Sequence, residues 1–340
     1  MNSLSTPQLQ SMVSILLTDY CNQNCPFCFA KEEMRNPLKL EIPLKDIRLI
    51  RDLCIKNGVL NIAFSGGEPT LHSKFTQAVE LFRKDFFRIH INTNGTFSDE
   101  TAEYLQGLGK QIFLYFNVTT PGFIFNKTIR DRVLTHIKKL SDTLNVSVII
   151  TSKFQSTKEA MMIMDLFSEK LIKKVTVRLG VEGVTAGASN YNRLRDFPRI
   201  GKPFIQTFRY AAARGAKDVK IGKSITPCMF TEKDRRYLKR KGYLKTIHCH
   251  PEDEGLWFSI NPALETYMCY PLLHLDRKRI VKNTNLRKLR DFYRKKQGEY
   301  AVSHALPECK KCPFYGLEEG KCPGPCAGFR INALTNPIKT

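Results

Sequence analysis

The stretch that decides the fold is Met12-Val-Ser-Ile-Leu-Leu-Thr-Asp-Tyr-Cys21-Asn-Gln-Asn-Cys25-Pro-Phe-Cys28. Its first six residues are apolar enough to read as a buried strand, and the three thiols follow on the loop at the strand's C-terminal end. Thiolates are the usual ligands of iron-sulfur clusters, which take four. Three cysteines with no fourth nearby leave one iron open to another ligand. A zinc knuckle or buried free cysteines are the competing readings, and three thiols at this spacing argue against both.

Downstream, short β-branched or aromatic runs alternate with longer amphipathic stretches. Strands are expected at 12–17, 60–64, 88–92, 111–118, 146–151 and 174–179, with crossover helices near 44–57, 73–82, 99–108, 124–140 and 157–171. Six βα units joined by right-handed crossovers curl into a partial, TIM-like α/β barrel, with function at the strands' C-terminal ends. After about residue 185 the alternation breaks down and the sequence turns irregular, basic and cysteine-containing. The expected organisation is therefore a partial barrel at 1–185, a linker or helical segment at 186–225, and a small cysteine-rich domain at 226–340.

At the end of the second strand stands Ser65-Gly66-Gly67-Glu68-Pro69. Its glycines allow close backbone approach, and its carboxylate can receive an ammonium group. The third strand ends in Asn92-Thr93-Asn94-Gly95 and the fourth at Asn117, where polar side chains also fit simple turn chemistry. Arg178 lies on the sixth strand, and alternation leaves open whether it faces the barrel mouth or the outside.

The spacing Cys21-x3-Cys25-x2-Cys28, with Phe27 before the third cysteine and Gly66-Gly67-Glu68-Pro69 one βα unit later, resembles the signature of the radical S-adenosylmethionine (SAM) superfamily. The resemblance implies a 4Fe-4S cluster on Cys21, Cys25 and Cys28 whose open iron is chelated by the amine and carboxylate of SAM. It places the SAM amino group at Gly66, Gly67, Glu68 and Pro69, with Phe27, Asn94 and Asn117 as further cofactor-binding residues. It also implies reductive cleavage of SAM to methionine and a 5′-deoxyadenosyl radical, which abstracts a substrate hydrogen atom.

Seven more cysteines follow the barrel: Cys228, Cys249, Cys269, Cys309, Cys312, Cys322 and Cys326. The remaining one, Cys54, falls on the first expected helix and reads as a core residue. The run Cys309-x2-Cys312-x9-Cys322-x3-Cys326 is a metal-site pattern, and spacing alone also allows a four-thiolate zinc site. With the barrel attached, this region resembles the SPASM extension of radical SAM enzymes, which binds auxiliary 4Fe-4S clusters and is common in peptide maturases. Two full clusters need eight cysteines, one more than the region has. Matched by position, Cys249, Cys269 and Cys326 take the first auxiliary cluster, with Cys228 or His250 as fourth ligand. Cys309, Cys312 and Cys322 take the second, with a non-cysteine ligand or an open iron, so one or two auxiliary clusters are expected.

The 340 residues carry 54 Lys plus Arg against 32 Asp plus Glu, a formal net charge of +22. Residues 1–100 are neutral, with 11 basic and 11 acidic side chains, whereas residues 201–311 hold 25 basic and 11 acidic ones. The surplus suits an anionic partner or a solvated basic face. No apolar run approaches the roughly 20 residues that span a bilayer, and clustered rather than scattered cysteines point to a reducing compartment, hence the cytoplasm. A peptide or protein substrate is the leading expectation, with a flavodoxin or ferredoxin as electron donor. An RNA-modifying enzyme, small-molecule or cofactor biosynthesis, and a non-enzymatic zinc-stabilised RNA-binding protein are the alternatives. The cysteine loop begins about 20 residues from Met1, which is read as leaving no room for the N-terminal leader-binding domain of many peptide maturases.

Overall fold

Seven strands lie side by side in chain order, all parallel: β1 (Met12–Thr18), β2 (Asn61–Gly66), β3 (Arg88–Thr93), β4 (Ile112–Asn117), β5 (Asn145–Ser152), β6 (Thr176–Val181) and β7 (Asp218–Ile221). The computed structural model describes residues 12–28, 40–85, 88–182, 194–221, 225–241, 256–316 and 321–335. Helices α1 (Leu44–Lys56), α2 (Phe75–Arg83), α3 (Asp99–Gln106), α4 (Pro121–Phe125), α5 (Lys127–Leu140), α6 (Lys158–Asp165), α7 (Glu169–Ile172) and α8 (Phe197–Ala213) connect them. The six expected strands all form, with ends shifted by one or two residues. Two expected helices are each split by a capping residue. Asn126 closes α4 and accepts from Ile129 N (3.1 Å) to open α5, and Ser168 accepts from Leu171 N (3.3 Å) to open α7.

The sheet exceeds six strands. The stretch expected as a linker or helical segment contains α8 and also β7, and β7 pairs with β6 from Thr176↔Asp218 to Leu179↔Ile221. After α9 (Glu232–Arg240), β8 (Leu256–Ile260) joins the opposite edge, parallel to β1, with Ile15 beside Ile260. Then β9 (Glu265–Tyr267) and β10 (Lys278–Arg279) extend it antiparallel, giving ten strands in the order β10-β9-β8-β1-β2-β3-β4-β5-β6-β7. Helices α10 (Leu286–Ser303), α11 (Pro307–Lys310) and α12 (Ala327–Thr335) complete the described chain.

Strand alternation sorts the side chains between two faces. Ile62, Phe64, Ile89, Ile91, Leu114, Phe116, Val148, Val177 and Leu179 are buried on the outer face, against the helices; Phe64 meets Phe82 of α2 edge-on at 5.6 Å. Residues of the opposite parity form the inner face, where Ser14 and Ser65 share a hydrogen bond (2.9 Å). The C-terminal helices belong to the same apolar core. Leu286 N and Arg287 Nε donate to Oδ1 and O of Asn57 (3.1 Å each), and Phe329 packs on Phe197 at 5.3 Å.

Candidate active site

The cysteine loop leaves β1 at Thr18, and the end of β2 holds its stem. Gly67 N donates to Thr18 O (2.8 Å) and Glu68 N to Tyr20 O (2.7 Å). The approach is so close that a Cβ on Gly66 would sit 2.4 Å from Thr18 O, and one on Gly67 2.1 Å from Tyr20 O. Gly66 also has φ +127°, which side-chain-bearing residues rarely adopt. The glycine pair therefore lets the second strand's end lie against the backbone that leads into Cys21. Pro69 is buried and opens a single 3-10 turn capped by Glu68.

Glu68 is 1% exposed and ties the ends of β2 and β3 together. Its Oε1 accepts from Thr70 N (3.3 Å), Thr70 Oγ1 (2.7 Å) and Thr93 Oγ1 (2.7 Å), and its Oε2 from Asn94 N (2.6 Å). Burial pushes the carboxyl upward, and these four bonds act against that shift. The sequence reading gave this carboxylate to an incoming ammonium; the structure gives it four donors from the protein. Thr70, which supplies two of those donors from the turn after Glu68, was not singled out in the sequence, and Thr93 was quoted there only within Asn92-Thr93-Asn94-Gly95.

Asn94 fastens the third strand to the cysteine loop. Its Nδ2 donates to Asn22 Oδ1 (2.8 Å), Thr96 Oγ1 donates to its Oδ1 (2.6 Å), and Asn22 Nδ2 donates to Thr96 Oγ1 (2.7 Å), closing a ring of three side chains. A further clamp comes from beyond β4, where Gly122 N donates to Gln23 Oε1 (2.9 Å). Asn117, at the end of β4, accepts from N and Oγ1 of Thr119 (3.1 and 2.7 Å), so its carboxamide oxygen is engaged in the turn. The ends of β2 and β3 and the start of α4 thus grip the loop of Cys21, Cys25 and Cys28. Asn22, Gln23 and Thr96 carry no sequence signal beyond their polarity.

Burial pushes the Cys21 thiol up to about 11, and the nearby Glu68 and Cys28 add to the shift. Cys25 is pushed up to about 12 by burial and then by Cys28 and Cys21. Cys21 and Cys25 are therefore protonated at neutral pH in the metal-free chain, and a metal must displace their protons to bind. Phe27 is half-buried beside Cys28. From the far side comes Tyr270, next in sequence to Cys269. Burial pushes its hydroxyl up to about 12; it hydrogen-bonds Ser65 and the Gly66 backbone and lies within the field of Cys28. The C-terminal region therefore abuts the first cysteine loop.

A second group of thiols gathers around Cys309. Burial raises it to about 12, followed by Cys228, Cys322 and Cys312; Cys322 rises to about 11 through burial and then Cys228 and Cys312, and Cys228 is raised mainly by burial. Cys312 N donates to Cys309 O (2.8 Å), Cys322 N to Phe314 O (2.8 Å), and Gly316 N to Cys322 O (3.1 Å). Arg235 of α9 covers the Phe314 ring at 4.7 Å, fastening the Cys228 segment to this loop, and Thr226 Oγ1 is 3.0 Å from Cys228 Sγ. Cys228, offered by the sequence beside His250 as fourth ligand to Cys249, Cys269 and Cys326, stands instead with Cys309, Cys312 and Cys322. Cys269 and Cys326 precede two elements that pack together, the Tyr270–Leu272 turn and α12. Cys249 and His250 lie outside the described residues, and Cys54 is buried in α1. Among the described residues no three His, Cys, Asp or Glu side chains are close enough to share a single metal ion.

The radical SAM superfamily is matched over residues 15–185, half of the chain. An uncharacterised protein of Archaeoglobus fulgidus is 24% identical over 324 residues, 90% of this chain and 72% of that protein. The 7-carboxy-7-deazaguanine synthase of Clostridium acetobutylicum is 28% identical over 46% of this chain and 66% of its own length. Among solved structures, Streptococcus suis SuiB bound to its precursor peptide SuiA superposes with a TM-score of 0.63 at 18% identity, covering 93% of this chain and 72% of SuiB. At that identity the likeness is one of fold.

Proposed function

This chain belongs to the radical SAM superfamily, and on that premise we propose that it abstracts a hydrogen atom from a peptide or protein substrate. Membership implies a 4Fe-4S cluster and SAM, which when bound together supply the 5′-deoxyadenosyl radical that removes the hydrogen. The residues fit such a group: three thiols on one loop, with Cys21 and Cys25 each in the field of Cys28. Cys21, Cys25 and Cys28 hold the cluster. Because the Glu68 carboxylate already has four protein donors, its part is to fix the backbone of Thr70 and Asn94. The SAM amino group then falls to the main chain of Gly66, Gly67, Glu68 and Pro69. Phe27, Asn94 and Asn117 complete the cofactor wall.

The observation that carries this reading is the three-way clamp on the cysteine loop by the ends of β2 and β3 and by Gly122 at the start of α4. A site for radical chemistry has to fix its reactants, and a loop held from three elements is prepared for that. Cys228, Cys309, Cys312 and Cys322 supply four thiolates for one auxiliary 4Fe-4S cluster. Cys269 and Cys326, with Cys249, form the core of a second site. A flavodoxin or ferredoxin provides the electron, and the reducing cytoplasm suits this many thiols.

The peptide reading is supported by the fold shared with SuiB over 93% of the chain, in a structure that holds a precursor peptide. The deazaguanine synthase relative matches less than half of the chain and does not favour a small molecule over a peptide. A non-enzymatic zinc protein is set aside by membership of the family. The reading is tested by incubating anaerobically reconstituted protein with reductant, SAM and peptides encoded beside its gene. A mass change on one of those peptides, coupled to 5′-deoxyadenosine, is the expected result. Turnover of a free nucleotide or other small molecule with no peptide present overturns it.

A further inference from the structure

On the inner face of the sheet, apart from the cofactor loop, a second polar group is assembled from four adjacent strands. Arg88 and His90 of β3, Phe113 and Tyr115 of β4, Ser147 of β5 and Arg178 of β6 share this face, and their sequence neighbours Ile89, Leu114, Val148, Val177 and Leu179 are buried against the helices. The sequence left the direction of Arg178 open; the contacts decide it. Its guanidinium lies over the Tyr115 ring at 5.0 Å, and its Nε donates to Ser147 Oγ (3.3 Å). Tyr115 Oη hydrogen-bonds His90 Nδ1 (3.0 Å), and the His90 ring stacks on Phe113 at 5.0 Å, with Arg88 over that same Phe113 ring at 5.3 Å.

This arrangement presents one end of Arg178 to a ligand. The stack and the Nε bond fix the plane of the guanidinium, while its two Nη groups have no hydrogen-bond partner among the described residues. Lys220 of β7 stands next to Arg178 in the strand register and is paired with Asp218 at 3.5 Å. Asp218 is the one carboxylate at the inward positions of β2 to β7 among the described residues, against Arg88, Arg178 and Lys220. Burial, then Arg88 and Arg178, push His90 down to about 4, so it is neutral at pH 7 and adds no charge of its own. The wall is net positive, and a planar guanidinium with two Nη groups to spare matches the two oxygens of a carboxylate.

We propose that this wall is a substrate subsite for a carboxylate, carried as an Asp or Glu side chain of the peptide substrate and bound by the Nη groups of Arg178 over the Tyr115 ring. The carrier rests on the peptide reading above; the carboxylate rests on the geometry of the wall.

The test uses reconstituted, SAM-loaded protein and two blocked probes, N-acetyl-Gly-Glu-Gly-amide and N-acetyl-Gly-Gln-Gly-amide, with glutarate as a free dicarboxylate. Binding is read from the imidazole nitrogen signals of His90, whose pKa rises when a carboxylate offsets the field of Arg178. The Glu probe is expected to bind about 10- to 100-fold more tightly than the Gln probe, the range for losing charge-assisted hydrogen bonds. Arg178→Gln brings the Glu probe to the level of the Gln probe, and Arg178→Lys, which keeps the charge and much of the volume, retains part of the preference. SAM affinity is the control and stays within about twofold, since the proposal gives Arg178 no part in holding the cofactor. Measurable but equal binding of the two probes, no binding of the Glu probe or of glutarate, or Glu binding unchanged in both variants, overturns the proposal. So does a loss of SAM affinity as large as the loss of the Glu probe, which assigns the arginine to the cofactor. Glutarate binding through Arg178 without binding of the Glu probe upholds the carboxylate site and removes the peptide as its carrier.

Discussion

Replacing Gly67 by alanine puts a methyl group where the main chain of the cysteine loop already lies. The added Cβ would be 2.1 Å from Tyr20 O and 2.6 Å from Tyr20 C. Restoring an ordinary contact of about 3.4 Å requires the two segments to part by about 1.3 Å. That separation breaks the bonds from Gly67 N to Thr18 O (2.8 Å) and from Glu68 N to Tyr20 O (2.7 Å). Each broken bond costs about 1 kcal/mol, and more where a buried group is left without a partner, so the total is about 2–4 kcal/mol. The displaced residue adjoins Cys21, so the change falls on the metal-binding loop more than on the sheet. Reconstituted Gly67→Ala protein is expected to keep its far-ultraviolet circular dichroism, to lose most of the iron of the first cluster, and to form 5′-deoxyadenosine at least about tenfold more slowly. Gly298→Ala is the matched control: nothing lies within 4 Å of its Cβ position, and in the interior of α10 the change adds up to about 1 kcal/mol of stability. Wild-type iron content and wild-type SAM cleavage in Gly67→Ala would refute the packing argument.

Glu68→Gln replaces a carboxylate that accepts four hydrogen bonds. The amide nitrogen then faces a fixed backbone N–H of either Thr70 or Asn94, and a loss of about 1–3 kcal/mol is expected in urea unfolding; an unchanged midpoint contradicts it. Cys228→Ala should remove about four irons per chain while sparing 5′-deoxyadenosine formation, and an unchanged iron count would remove Cys228 from the cluster ligands. The buried thiols of Cys21 and Cys25 have pKa values raised above 9, so the folded metal-free chain binds their protons more tightly than the unfolded chain does. Their contribution to stability is complete below pH 9 and lost as pH rises through about 11 to 12. Urea titrations of the metal-free protein should show this decline and Cys25→Ser should reduce it; an identical profile in the variant removes the assignment.

The barrel was legible because the strands leave short β-branched or aromatic runs at regular intervals, with one face buried against the helices, and β1 to β6 fall within two residues of their expected ends. What escaped were elements that depend on distant pairing. β7 and β8 are four and five residues long, and nothing in so short a run says that one will lie beside β6 and the other beside β1. The cofactor motifs were visible as motifs, but the use of their atoms was not. Glu68 looked like a free carboxylate because Thr93 and Asn94 lie 25 and 26 residues away. Cys228 precedes Cys309 by 81 residues, so its companionship with that loop depends on how α9 folds back and sets Arg235 over Phe314, which spacing does not encode. The face taken by Arg178 was decided only by its neighbours on β4 and β5.

The central claim is that Cys21, Cys25 and Cys28 hold an iron-sulfur cluster that works with SAM. It is tested most directly by reconstituting the wild-type chain and Cys25→Ala under anaerobic conditions, counting iron and sulfide, and measuring 5′-deoxyadenosine after addition of SAM and reductant. The account predicts equal iron and sulfide with 5′-deoxyadenosine formation in the wild type, and loss of both about four irons and all 5′-deoxyadenosine in Cys25→Ala. Zinc in place of iron in the wild type, or undiminished 5′-deoxyadenosine in Cys25→Ala, would contradict it.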